Sequence, residues 1–490
     1  MANSPEGYWL ARFVFQRGMA LIYLIAFLVA LNQFRPLLGE RGLLPVQVYI
    51  NQVSFRDSPS LFFFAPKDAA FMAVAWIGII LSGVALSGFS ERYALWMSMG
   101  VWAVLWVLYL SFVNVGQIFY GFGWESILLE AGFFTIFLGS NHVPPQRITI
   151  LILRWVLFRV MFGAGLIKLR GDSCWHDVTC LDYHYETQPM PNPLSWYLHW
   201  APQWTHRGGV WFNHFAELIA PFGYFLPQPI ASIAGLVTIA FQGSIMASGN
   251  LSWLNLLTII LAIPTLDDRL LQFIPLRAGM LRDPGMAFKG LLIAVAVLVV
   301  YLSINPIRNM ISPSQVMNRS YNPFHLVGTY GAFGSITRTR NEIVVEGTAD
   351  AVVSRETNWQ AYEFKGKPGD PSRMPPQIAP YHLRLDWLMW FAAMSSYLRN
   401  PWFMHFVQKL LEGDEDTLSL LRTNPFPNHP PRYIRARLYE YHFTDPAPRK
   451  RTGDWWTRRL VGAYLPPVAL DTPGFRALLE DRGWLPRAAQ

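Results

Sequence analysis

Nine stretches of mostly apolar residues, near 13–34, 69–89, 93–113, 118–139, 148–168, 211–227, 229–248, 250–266 and 287–305, fill the first two-thirds of the chain. About 17–25 such residues match the thickness of a bilayer's hydrocarbon core, where only a helix satisfies its own backbone polar groups within one segment. Residues 1–310 are therefore expected to form an α-helical polytopic membrane bundle of about nine spans. Gly and Pro residues, among them Pro221, Pro227 and Pro229, interrupt the sixth and seventh stretches, which predicts a kinked or broken pair. The N-terminal stretch starts like a signal peptide, yet it lacks a small-residue cleavage site and is long enough to span, so it reads as a retained first helix.

Charge divides the chain in two. Only 15% of residues are charged, against roughly 25% in soluble domains. Residues 305–490 carry 23 Lys+Arg and 17 Asp+Glu of the chain's 40 and 32. A basic, water-soluble C-terminal domain over 311–490 is thus expected after the bundle. Nucleic acid is not its expected partner: beyond Arg449-Lys450-Arg451 there is no basic run, and zinc-finger or RNP-like spacing is absent.

Orientation follows from the basic residues of short loops, which favour the cytoplasm. Arg92, Arg147 and the loop 267–286, with Arg269, Arg277 and Arg282, fall on one side of a nine-span arrangement. The N-terminus is then cytoplasmic. The loop 169–210 and the C-terminal domain lie opposite, in the periplasm or the ER lumen. There Cys174 and Cys180, the chain's two cysteines, meet oxidising conditions. A disulfide stapling the loop is the leading reading. The C-x₅-C spacing is not that of C-x-x-C oxidoreductases, and zinc held with His176 and His184 would need a spacing unlike any standard finger.

Ionisable residues inside spans are costly, so they pair, line cavities or reach the interface. Here they are Glu125, Glu130, Arg154, Arg159, Lys168, His214 and Glu217. As an α-helical pair at i and i+3, His214 and Glu217 share a face. Three readings compete: buried ion pairs that lock the bundle, a polar cavity in which a desolvated Lys168 acts as base or nucleophile, or a Lys168 that snorkels to the interface.

In the C-terminal third, VGTYGAFGSIT, EIVVEGTA and YIRARLYEYHFT read as strands, HLRLDWLMWFAAMSSYL and WFMHFVQKLLEG as helices, and KGKPGDPSRMPPQIAP as a loop. The expectation is a β-sandwich-like domain with a helical insertion. Trp387, Trp390, Phe391, Trp402 and Phe403 suit a core or interface belt, or, if exposed, a patch for transient contact with unfolded or partly folded proteins. Trp455-Trp456 with Arg458-Arg459 suits docking on lipid headgroups. The Ser of GAFGSIT is not in G-x-S-x-G, so the chain itself does not read as a lipase.

The strings YWLARFVFQRGMALIYLIAFLVALNQFRPLLGERGLLP, FGWESILLEAGFF, LRWVLFRVMFGAGLIKLRGDSCWHDVTCLDYHYETQPMPNPLSWYLH, NHFAELIAPF, YNPFHLVGTYGAFGSITRTR and PPRYIRARLYEYHFT closely resemble the lipase maturation factor family. That resemblance implies a multispanning membrane protein, in animals of the ER, that helps secreted lipases fold, form dimers and leave the compartment, with the domain from about 312 facing the client. The short segment before the first span leads us to expect a bacterial member, in the inner membrane. A more distant likeness, AGLIKL followed by Trp175, is similar to the AG-x-x-K-L…W string in the membrane domain of the vitamin K-dependent γ-glutamyl carboxylase. It implies a shared fold and places Lys168 where that enzyme's catalytic base lies. The alternative function is accordingly a membrane enzyme using a cavity around Lys168, His214 and Glu217 on a lipid, quinone or client side chain. No cofactor is required by the maturation-factor reading, although a quinone-like or lipid ligand fits the enzyme reading. The expected partners are secreted clients and membrane lipids.

Overall fold

The computed structural model describes residues 7–485. Among the described residues six helices are long and apolar enough to cross a membrane: α1 (Trp9–Leu38), α2 (Asp68–Leu86), α3 (Leu95–Val115), α5 (Arg147–Arg170), α7 (Ile230–Ser248) and α9 (Met286–Ile311). The other three expected spans are shorter or broken. Residues 118–139 form a 3-10 turn, then α4 (Gly123–Thr135), then a second 3-10 turn. Residues 250–266 hold α8 (Leu254–Ala262) and a 3-10 turn.

The sixth stretch breaks for a local reason. Helix α6 (Gln203–His214) runs into a π-helical turn, Phe215–Ile219. Pro221 lacks an N–H for the carbonyl of Glu217, and its ring would strike that carbonyl in a regular α-helix, so the turn ahead of it widens. Wide faces of α2 and α9 remain uncovered by protein, with Trp76, Ile80, Val297 and Val300 exposed. Such apolar faces suit contact with lipid tails.

Basic loops gather at one end of the bundle. Arg12 donates to the carbonyls of Ser140 and Val143, Arg17 pairs with Glu91, the Arg282 N–H reaches the His142 carbonyl, and His142 meets the Arg92 carbonyl. At the opposite end sits the C-terminal third, where Gln33 near the end of α1 donates to His382 O and accepts from Arg384 N.

The C-terminal third differs from the expected sandwich. It has one four-stranded antiparallel sheet, in the order β2 (Gln360–Ala361), β1 (Arg340–Thr348), β5 (Tyr433–Phe443), β6 (Trp456–Val468), and a separate pair, β3 (Glu363–Phe364) with β4 (Leu421–Thr423). A second sheet is not needed to cover the apolar residues Ile343, Val345, Ile434 and Ala436. Helix α10 (Arg384–Ala392) packs on β1 and helix α11 (Pro401–Glu412) on β5. Trp387, Trp402 and Phe403 are buried there, Trp390 is half-buried, and Phe391 is exposed.

Two other local expectations fail. VGTYGAFGSIT is not a strand: it makes one isolated bridge, Arg319 to Thr329, and its backbone takes positive φ at Val327 and Phe333. Trp455 and Trp456 do not face lipid. They are buried with Trp196 and Phe443, and the Arg449 guanidinium lies 3.6 Å from the Trp455 ring centroid.

Candidate functional site

Lys168, near the end of α5, is buried, and so is Glu217 in the widened π turn. Its ammonium donates to Glu217 Oε1 at 2.6 Å, to Glu217 Oε2 at 2.7 Å and to Asn213 Oδ1 at 2.7 Å. Asn213 Nδ2 in turn donates to Glu217 Oε2 at 3.2 Å. The three donors of the ammonium thus meet three oxygens, so the buried charge is neutralised and hydrogen-bonded. Lysine snorkelling is excluded by this geometry.

Glycines make the contact possible. A Cβ at Gly165 would lie 3.0 Å from Glu217 Cβ and 2.6 Å from Leu218, so the bare backbone lets the π turn press against α5. Trp175 lies beneath the ammonium, 4.9 Å from Nζ to ring centroid, and donates its indole N–H to Phe333 O at 2.9 Å. The Cys174–Cys180 disulfide is formed, and with Trp175, Val210 and Ile336 it builds a small apolar cluster. Bonded cysteines are not thiolate ligands, which removes the zinc reading. Among the described residues no group of His, Cys, Asp and Glu side chains is placed to hold a metal ion.

His214 does not join the pair. Its Nε2 is 3.0 Å from Trp175 O, because Glu217 lies on a π rather than an α turn and the i, i+3 face assumed for the two is lost. Asn213 takes the place expected of His214. An amide one residue before a histidine, in NHFAELIAP, carries no charge to mark it, although its i, i+4 spacing to Glu217 already puts the two on one helical face.

Other intramembrane charges also find partners, several of them from the C-terminal third. Arg159 pairs with Glu130, which also accepts from the Tyr330 hydroxyl and from Gly328 N–H at 3.3 Å. Glu125 accepts from the Tyr109 hydroxyl and pairs with Arg384 Nη1 at 2.8 Å. Arg384 is fully buried, donates to Phe119 O at 2.6 Å and has its guanidinium 3.4 Å from the Tyr120 ring centroid. Arg154 meets Pro264 O, Tyr224 O and the Tyr8 hydroxyl, each at 2.9 Å. These contacts favour the locking role for Glu125, Glu130, Arg154 and Arg159.

Beside Lys168 and Glu217 lies a cavity of about 970 Å³, bounded by α5, α6, α7 and α8 on the bundle side and by residues 330–335 and α10 on the other. Its walls are mainly apolar, with Met161, Phe241, Ile245 and Trp387 among them. His184 also lines it, and burial pushes its imidazole down to about 4, with the nearby Lys168 charge acting in the same direction. The imidazole is therefore neutral at physiological pH. At the rim Asp172 caps Cys174 N–H at 3.0 Å, and the hydrogen bond from Arg338 holds its carboxyl below the usual carboxylate range.

The order of parts, a transmembrane bundle clasped by a C-terminal third through buried charges, coincides with two adjacent family matches. The lipase maturation factor transmembrane domain matches residues 10–273, and the lipase maturation factor C-terminal domain matches residues 326–466. The chain belongs to the lipase maturation factor family. Lipase maturation factor 1 of Homo sapiens is 43% identical over 97% of this chain and 90% of its own length. Lipase maturation factor 1 of Mus musculus is 43% identical over 99% of this chain and 92% of its own. Lipase maturation factor 2 of Xenopus laevis is 30% identical over 97% of this chain and 84% of its own. These lipase maturation factors are vertebrate rather than bacterial, so the bacterial source expected from the short leading segment gains no support. No solved structure matches the chain significantly.

Proposed function

We propose that the chain is a membrane-embedded maturation factor that helps secreted lipases fold and assemble as dimers, presenting its C-terminal third to them on the lumenal or outer side. The observation that carries this reading is the 43% identity to Lipase maturation factor 1, which runs through both the bundle and the C-terminal third. In cells lacking this chain, lipase should be synthesised in normal mass but secreted with low activity per unit mass. Normal specific activity of every secreted lipase would refute the lipase assignment.

The presentation side rests on nine passes with a cytoplasmic N-terminus. Support comes from the three shorter segments, which also run between the two ends: Glu125 meets Arg384, Asn250 meets Ile378 and Asn213 meets Lys168 toward one, while Ser140 meets Arg12, and Pro264 and Tyr224 meet Arg154 beside Tyr8, toward the other. The gathering of Arg12, Arg92 and Arg282 at the end away from the C-terminal third fits the cytoplasmic bias of basic loops.

A second reading, an enzyme using Lys168, draws support from the cavity beside that lysine and the carboxylase-like AGLIKL string. As an ammonium Lys168 has no lone pair, so to act as a base it would first have to give up a proton, for which the Glu217 carboxylate is in hydrogen-bond contact. Lys168→Ala and Glu217→Gln variants that stay folded and abundant yet lose all maturation activity would support it; a Lys168→Met, Glu217→Gln double variant with full activity would exclude it.

A further inference from the structure

One edge of the C-terminal sheet is open. Strand β6 (Trp456–Val468) lies at that edge with β5 as its neighbour in the sheet, and its residues Thr457, Arg458, Arg459, Leu460 and Val461 are exposed. The direction of its backbone groups follows from the opposed residues Phe443 and Trp456. Phe443 N–H goes to Glu186 Oε2 at 2.6 Å, away from β6, and Trp456 N–H goes to Pro371 O at 3.1 Å, away from β5. Every second residue of an antiparallel strand repeats that direction, so Arg458, opposite Tyr441, and Leu460, opposite Tyr439, also turn their N–H and C=O groups outward. No other described segment pairs with these groups. A register shift follows Leu460, so the regular open edge runs over residues 457–460.

Chemistry narrows what can cover this edge. Backbone donors and acceptors at strand spacing are matched by another extended backbone, and an open sheet edge is where such a segment adds. A lipid headgroup suits it less, because the sheet face beside the edge is turned away from the bundle. Helices α10 and α11, which carry Arg384 and His405 to the bundle, cover the face of Ile434 and Ala436, while Arg435, Arg437 and Tyr439 alternate to the opposite face. Three arginines gather there against one acid: Arg435 and Arg437 share Glu346, and the Arg458 guanidinium lies 4.8 Å from the Tyr439 ring centroid. Arg459, on the other face of the strand, stays 77% exposed beside its partner Glu440. A second copy of β6 would not answer this charge, since Trp456–Val468 holds no acid.

We infer that the outer edge of β6 is a docking strand for an extended segment of another protein, one that runs antiparallel to β6 and carries two adjacent acids. The N–H and C=O groups of Arg458 and Leu460 hold its backbone, its acids lie beside the Arg458 and Arg459 guanidiniums, and an apolar residue lies beside Leu460. That the segment belongs to a secreted client not yet folded rests on the maturation reading; the pairing itself does not. Docking involves no covalent step.

The test uses the full chain in phosphatidylcholine nanodiscs, a short fluorescent peptide containing the run Thr-Val-Glu-Glu-Thr, and fluorescence anisotropy. Saturable binding is expected. The same peptide N-methylated at the amides that face β6, or with lysines in place of the glutamates, should bind at least about fivefold more weakly. Leu460→Pro removes an outward donor and no bond to β5, so it should weaken binding about two- to tenfold, the worth of one hydrogen bond, with the melting temperature held. Arg458→Gln should weaken it about two- to fivefold. Equal binding of the N-methylated or lysine peptide, or undiminished binding by Leu460→Pro, would overturn the proposal. So would loss of peptide binding in phosphatidylserine nanodiscs, which reassigns the arginines to lipid, or a dimer in light scattering that Leu460→Pro dissolves, which reassigns the edge to a second copy. Should Leu460→Pro fail to fold, the N-methylated and lysine peptides decide the matter on the unaltered chain. Normal lipase activity in cells lacking the chain would refute the maturation reading and leave the peptide binding standing.

Discussion

Replacing Arg384 with Met should loosen the C-terminal third from the bundle. Met preserves much of the length of the side chain that lies on Tyr120 but removes the guanidinium, leaving the Glu125 carboxylate buried with the Tyr109 hydroxyl as its remaining partner. Breaking a buried pair from one side strands an uncompensated charge and costs about 3–5 kcal/mol. The Phe119 carbonyl also loses its 2.6 Å donor. Removing the second charge should repair most of the damage: Glu125→Gln added to Arg384→Met is expected to recover at least about 2 kcal/mol, since a fully neutral replacement of a buried ion pair is often nearly free. Denaturation in detergent, followed by tryptophan fluorescence, measures the stability of the three proteins. Limited proteolysis reports undocking, with faster cleavage after Arg308 or Arg319 expected in the single variant. A single variant within about 1 kcal/mol of wild type, or a double variant worse than either single, would refute the idea that this ion pair holds the two parts together.

Three further outcomes follow from other contacts. His405 is buried with Nδ1 2.7 Å from Leu43 O, and burial pushes its imidazole down to about 4; the unfolded chain, titrating near 6.5, binds more protons between those values, so stability is full above pH 6.5 and falls by about 3 kcal/mol as the pH drops through 4. In His405→Gln, pH-dependent denaturation should show a shallower acid limb. Replacing both Cys174 and Cys180 by Ser opens a short loop and should cost about 2 kcal/mol by the chain-entropy rule, read as a lowered melting temperature under non-reducing conditions. Gly163→Ala should destabilise by about 1–3 kcal/mol in the same denaturation assay, because the new Cβ would sit 2.5 Å from the Tyr330 carbonyl oxygen, a backbone atom that cannot swing aside.

Hydropathy revealed the six long helices because each carries its signal locally, in an unbroken apolar run. It overestimated the helix length in the stretches around 118–139 and 250–266, where apolar character extends beyond the helix into 3-10 turns. Lys168 and Glu217 were legible as costly residues needing partners, whereas Asn213, one helical turn before Glu217 and so on its face, carries no charge to mark it as the third member. Arg384 was invisible as the partner of Glu125 because pairing across such a sequence distance leaves no local trace. The sheet's cover was misread for a related reason: alternation in β1 and β5 demands an apolar partner layer but does not say whether strands or helices supply it.

The clasp between Arg384 and the bundle bears on how the protein is made. Arg384 trails Phe119, whose carbonyl it meets, by 265 residues, a lag on the order of ten seconds to a minute at ordinary translation rates. Through that interval α4 is already synthesised, yet the carboxylate of Glu125 waits for its cation. A nascent bundle in this state holds, at the end that faces the C-terminal third, a buried acid bonded to the Tyr109 hydroxyl and lacking its cation. Chains truncated before residue 384 cannot form the pair, so the charges of the bundle are fully matched only once the C-terminal third has been made.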